Sequence, residues 1–133
     1  MDALILAAGT GTRMGKTEKP KCLLNIGGTS IINYQINCFK ELGIQKIFVL
    51  TGYNSDQIKN HLGKKVNFIQ TSNYLTTNNL YSFWDAKNFL QDDFICVYSD
   101  LFFHNQILCN CIDNKNEICL VIEKNIRNET MRV

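Results

Sequence analysis

The sequence predicts an α/β protein, a three-layer α/β/α sandwich around a mostly parallel sheet. Two observations carry the prediction. Short apolar runs that end at Gly or polar residues recur along the 133 residues, and the stretches between them keep apolar residues at helical spacing. Strands that alternate with helices need crossover connections, which are right-handed in nearly all cases and set a parallel sheet between helices. A chain of 133 residues falls within the size of one domain and can bury a real core, so residues 1–133 are expected to form a single domain.

Asp2 to Ala7 reads as the first strand, apolar enough to be buried on both faces and feeding a Gly-rich loop. Ser30 is a good N-cap, after which Ile31, Ile32, Gln35, Ile36, Phe39 and Leu42 keep helical spacing up to Gly43, a residue suited to ending a helix. Lys46 to Thr51 is the second buried strand, and Ser55 is expected to cap a short helix carrying Ile58 and Leu62. Val66 to Gln70 reads as the third strand. Asn78 or Asn79 can cap a helix whose Leu80, Phe83, Trp84 and Leu90 share one face, and Phe94 to Ser99 follows as the fourth strand. Ile107 to Ile112 predicts one more helix and Ile118 to Glu123 one more strand. In such sheets ligands bind beyond the carboxyl ends of the strands, so the residues after Ala7, Thr51, Gln70 and Ser99 are the ones to read for chemistry.

Fourteen basic and twelve acidic residues leave a formal charge of +2, and the Lys and Arg are scattered, which argues against a nucleic-acid partner. Met1-Asp2 lacks the basic start of an export signal, and no window approaches a membrane span. The six cysteines suit reduced thiols in a cytoplasmic protein better than a disulfide framework, because a chain this apolar needs no staples. Cys109 and Cys111 are one residue apart, the wrong loop for a metal knuckle, and neither His61 nor His104 supplies a second pair.

The stretch from Leu4 to Gly15 (Leu-Ile-Leu-Ala-Ala-Gly-Thr-Gly-Thr-Arg-Met-Gly) places small residues where backbone must approach a ligand closely, with N–H groups free to hold phosphate oxygens. Arg13 can add a guanidinium fork, and Lys21, after the rigid Pro20, an ammonium. A plain tight turn is the bland alternative. A dinucleotide-binding loop needs GxGxxG opening a helix directly, whereas the spacing here is GxGxxxG with a polar stretch through Lys19 behind it. A Walker loop would need a glycine where Thr10 stands.

These residues resemble the nucleotidyltransferases that share a signature of Leu-x-Ala-Ala-Gly-x-Gly-x-Arg-Met followed, after a short spacer, by Pro-Lys. Leu4 through Met14 and Pro20-Lys21 carry the likeness, Cys22 to Gly28 is similar to the short strand and turn that follow, and Ile44 to Tyr53 to the second strand. A narrower likeness, to the phosphocholine and aminoethylphosphonate cytidylyltransferase branch, runs through Asn73-Tyr74, Thr77 to Asn79, Tyr81-Ser82 and Tyr98 to Phe103. The resemblance implies a Rossmann-like nucleotidyltransferase fold and the transfer of a nucleoside monophosphate, CMP from CTP foremost, to a small phosphorylated or phosphonylated alcohol or amine. It implies that Leu6, Ala7, Ala8, Gly9, Thr10 and Gly11 hold base and phosphate, that Arg13 and Lys21 hold the triphosphate, and that Asn78, Asn79 and Ser82 line the nucleotide or acceptor side. By the same likeness Asp100 binds the Mg2+ cofactor. A carboxylate just past a strand end, beside phosphates, is the usual way to hold magnesium, and the bland alternative is an Asp capping a turn.

A choline-like acceptor would need aromatic side chains, but Phe83 and Trp84 share the face of Leu80 and alternation buries one side of a strand holding Tyr98, so packing explains most of them. Tyr74 and Tyr81 are the better site candidates. His61 reads as surface and is assigned nothing. Relatives of this type are longer, and by likeness their second half supplies much of the acceptor pocket and a second magnesium carboxylate; Asp113, Glu123 and Glu129 lie in no motif that identifies one. The chain stops at Met131-Arg132-Val133 without a helix stop or polar tail, which reads as an element cut short. A sugar-phosphate nucleotidyltransferase and a nucleotide-binding module inactive by itself are the alternatives. A homodimer stays open, and no membrane partner is expected.

Overall fold

The computed structural model describes residues 1–9, 19–71 and 79–122. The described residues fall into two compact units, Met1–Phe102 and the residues from Phe103 onward. The first unit is built on a four-stranded sheet in the order β5-β4-β1-β6, with β1 at Asp2–Ala7, β4 at Ile47–Thr51, β5 at Asn67–Gln70 and β6 at Phe94–Tyr98. Every pairing is parallel, with Leu6 opposite Leu50 and Tyr98 on its two sides. The two central strands are almost wholly buried, which is why their sequences are continuous apolar runs without alternation.

Between β1 and β4 lie a 3-10 turn at Lys21–Leu23, a two-residue hairpin of β2 (Asn25–Ile26) and β3 (Thr29–Ser30), and α1 (Ile31–Glu41). Gly27 and Gly28 close the hairpin with φ of 61° and 94°, a turn in which both central positions need positive φ. Ser30 caps α1 as expected, its hydroxyl accepting from the Asn33 amide at 3.3 Å. α2 (Ser55–Leu62) joins β4 to β5, and α3 (Asn79–Ala86) joins β5 to β6.

Leu4 and Ala8 of the first strand and its exit pack with Phe48, Leu50, Ile69 and Ala86, and Phe83 and Leu90 close over them, so α3 and its exit cover one sheet face. The residues of opposite parity, Ala3, Ile5, Ile47 and Val49, are fully buried too. Ile32, Ile36 and Phe39 of α1 with Ile58 and Leu62 of α2 supply the remaining large, fully buried apolar side chains, which gives the second helical layer.

Five expectations need correction. Ser55 does not cap α2; it is the first helical residue and Asn54 stands before it with φ 51° and no side-chain cap bond, a left-handed conformation that Asn tolerates and most residues do not. Trp84 is 61% exposed rather than core, its ring covered by the Lys87 ammonium 3.4 Å from the centroid, because α3 ends at Ala86 and it is Phe83 and Ala86 that face the core. Tyr98 and Phe102 are also exposed: β6 is an edge strand among the described residues with only Val97 buried, and Phe102 stacks on Tyr34 at 4.4 Å. The strand expected over Ile118 to Glu123 is not formed at 118–122, which are irregular and exposed; backbone groups take a strand only against a partner, and none lies alongside them in the described residues of the second unit. That unit's helix, α4 (Asn105–Ile112), begins two residues earlier than expected because the His104 ring caps it, accepting from the Gln106 amide at 3.2 Å. Among the described residues no helix is long and apolar enough to cross a membrane.

Candidate functional site

In a parallel sheet every strand ends at the same edge, and here three loops are tied to it by backbone bonds. The Leu6 carbonyl accepts from the Ser99 amide at 3.1 Å, the Ala8 carbonyl from Tyr53 at 3.3 Å, and the Thr51 carbonyl from Thr71 at 2.9 Å. Residues following β6 and β4 are thereby held at the end of β1, and the residue following β5 at the end of β4. Ala7 and Ala8 are buried, and Gly9 is exposed. A side chain at Gly9 would meet no described atom within 4 Å, and its φ is not in the left-handed region, so neither packing nor turn geometry among the described residues demands glycine there.

Lys21 opens the 3-10 turn at Lys21–Leu23, which is pinned by the buried side chains of Cys22 and Leu23, while Lys21 itself is half-buried. No ion pair joins its ammonium to another described residue. Burial pushes the Cys22 thiol up to about 12, and the charge of Asp100 acts in the same direction.

Asp100 is exposed in the turn that leaves β6, closed by the Leu101 amide on the Tyr98 carbonyl at 3.3 Å. The same turn is held from α1: the Gln35 side-chain amide donates to the Tyr98 carbonyl at 2.9 Å and to the Leu101 carbonyl at 2.7 Å. Sequence reading placed Gln35 in the apolar stripe of its helix and assigned it no role; the signal was there, since an amide in an otherwise apolar, fully buried stripe needs polar partners inside the protein. His61 was likewise read as bare surface. Its Nε2 lies 3.0 Å from Ser30 Oγ and 2.9 Å from Asn33 Nδ2, tying α2 to the start of α1. No spacing rule would have found that pair.

Among the residues expected at the site, Leu6, Ala7, Ala8, Gly9 and Asp100 fall at the carboxyl edge of the sheet, and Lys21 opens the 3-10 turn that leads into the hairpin. Asn79 and Ser82 lie in the first turns of α3, the helix that follows β5. Thr10, Gly11, Arg13, Asn78 and Tyr74 lie outside the described residues, as do Glu123 and Glu129. Tyr81 is 51% exposed on α3, and Asp113 ends α4. Among the described residues no group of three or more His, Cys, Asp and Glu stands together as a ready-made metal site. A lone exposed carboxylate offers hard oxygen donors but not a cage, which is the donor set magnesium uses when substrate phosphates complete its shell.

A family model described as the MobA-like NTP transferase domain matches residues 3–129. CTP:phosphoglutamine cytidylyltransferase of Campylobacter jejuni is 35% identical over 93% of this chain and 53% of its own length. Bifunctional protein GlmU of Methanococcus aeolicus is 32% identical over 96% of this chain and 34% of its own. The solved structure of CTP:phosphocholine cytidylyltransferase from Streptococcus pneumoniae superposes with a TM-score of 0.69 at 34% identity, over 79% of this chain and 49% of that one. The chain thus spans about half the length of the two cytidylyltransferases and a third of the bifunctional protein.

Proposed function

Because the chain belongs to the MobA-like NTP transferase domain family, we propose that it is the nucleotide-binding part of a nucleotidyltransferase that moves CMP from CTP to a small phosphorylated or phosphonylated acceptor and releases pyrophosphate. The observation that carries this reading is the Leu6–Ser99 hydrogen bond, which sets the turn of Asp100 against the exit of β1. The choice of CTP draws support from the cytidylyltransferases of Campylobacter jejuni and Streptococcus pneumoniae. Gly9, exposed and required among the described residues by neither packing nor φ, is explained by backbone that a nucleotide must approach closely.

In the proposed reaction an oxygen of the acceptor's phosphate or phosphonate attacks the α-phosphorus in line, the bond from that phosphorus to the bridging oxygen of the β-phosphate breaks, and pyrophosphate leaves. Little proton transfer is needed. The work of the chain is to align two anions and offset their repulsion. Backbone N–H groups of Ala8 to Gly11 cradle phosphate oxygens, Arg13 and Lys21 supply positive charge along the triphosphate, and Asn78, Asn79 and Ser82 face the nucleotide or acceptor. Asp100 would hold a magnesium ion, which would supply neutralisation of phosphate charge.

A sugar-phosphate nucleotidyltransferase is the second reading, favoured by the likeness to bifunctional protein GlmU over nearly the whole chain. Pyrophosphate release separates the two. With CTP and phosphocholine, phosphoglutamine or aminoethylphosphonate, release by the chain or by its full-length protein supports the first. Release only with UTP or dTTP and a sugar phosphate supports the second. CTP binding without release by either identifies a binding module.

A further inference from the structure

Gln35 is fully buried in α1, among Ile31, Ile32, Ile36 and Phe39. Its amide nitrogen serves two carbonyls, those of Tyr98 and Leu101, while its Oε1 is buried without a hydrogen-bond partner among the described residues. An unpaired buried acceptor is unfavourable, and a leucine would fill a similar volume without it. Helix packing alone therefore does not select glutamine here. What the amide adds is a fixed spacing between two carbonyls three residues apart, and the exposed carboxylate of Asp100 stands between them.

We propose that Gln35 is a positioning residue: by gripping the Tyr98 and Leu101 carbonyls it sets the backbone from which Asp100 reaches a divalent cation carried by the nucleotide. The inference rests on the function proposed above and adds to it a residue that touches neither metal nor substrate. Outer partners that orient a metal-binding group change metal affinity on removal, commonly by ten- to hundred-fold, without abolishing the fold. The two donors and the orphan acceptor leave together in Gln35→Leu, so stability should change little while the turn loses its grip.

The test follows the thermal midpoint of the 133-residue chain with saturating CTP as MgCl2 is titrated, for wild type, Gln35→Leu and Asp100→Asn. Gln35→Leu is expected to raise the half-saturating magnesium concentration about ten-fold, with the ligand-free midpoint and the response to CTP in EDTA close to wild type. Asp100→Asn should remove the magnesium dependence. Unchanged half-saturation in Gln35→Leu, with dependence lost in Asp100→Asn, overturns the positioning role alone. Magnesium dependence that survives Asp100→Asn overturns the metal assignment of the proposed function, and the positioning role with it. Should Gln35→Leu fail to fold, the side-chain amide resonances of Gln35 in the wild-type chain decide the matter. They should move when MgCl2 is added to the CTP-bound protein, and a fixed Gln35 beside a shifting Asp100 amide overturns the proposal.

Discussion

The Ser99 amide donates to the Leu6 carbonyl at 3.1 Å, one ladder step beyond the Leu6–Tyr98 pairing of β1 and β6. This bond carries the parallel register past the formal end of β6, so the carboxylate that follows at Asp100 leaves the sheet beside the exit of β1. Its position relative to the end of β1 is thus set by the ladder rather than by a flexible connection.

Lys21 supplies charge more than it supplies packing. Its ammonium pairs with no described residue, and the turn beneath it is held by Cys22 and Leu23. Lys21→Ala is expected to weaken CTP binding by about ten- to hundred-fold, the value of a charge-assisted hydrogen bond, while stability stays within about 0.5 kcal/mol. Calorimetric titration with CTP alongside urea unfolding checks both parts. Unaltered affinity would remove Lys21 from the site.

Magnesium alone should find no purchase. Asp100 is one carboxylate, and among the described residues no cluster of ligands stands ready. Titration of MgCl2 into the nucleotide-free chain is expected to give no saturable heat at millimolar concentrations, with binding appearing once CTP is present. Saturable binding without nucleotide would point to a protein cage that this account lacks.

Ser30 serves two helices, accepting from the Asn33 amide and standing 3.0 Å from His61 Nε2. Ser30→Ala should cost about 1 to 2 kcal/mol in urea unfolding. A loss below about 0.3 kcal/mol would mean that neither bond matters to the fold.

Cys22 gives an alkaline signature. Its thiol is raised from 9.0 to about 12 by burial first, with Asp100 adding to the effect. A raised folded value means that the unfolded chain releases this proton sooner, so the stabilisation is complete below pH 9 and is lost as pH rises from 9 towards 12. The wild-type chain should therefore lose up to about 1.4 kcal/mol per pH unit more than Cys22→Ala across that window. Parallel slopes for the two proteins would contradict it.

Much of this fold was legible because its central strands are buried on both faces. Asp2 to Ala7 and Ile47 to Thr51 are continuous apolar runs with no second interpretation, and Ser30 and Gly43 bracket α1 by cap chemistry and a φ of 80°. The misreadings lie where tertiary context decides. Trp84 has helical spacing that suits a core, yet α3 ends two residues later and the ring is left outside. Tyr98 alternates correctly, but an edge strand has less to bury against. Asp100 was singled out because it follows a strand end. Gln35 was passed over because periodicity assigns a face and says nothing of the carbonyls waiting on it.

The most direct test is a thermal-shift panel of CTP, UTP, GTP, ATP and dTTP with the 133-residue chain, with and without MgCl2. A nucleotide that binds only the folded state, at about 100 times its Kd, adds about 2.7 kcal/mol, a midpoint rise of roughly 8 to 15 °C for a domain of this size. Such a rise is expected for CTP with magnesium, larger than for any other nucleotide and reduced when the metal is withheld. A flat response to all five would contradict it.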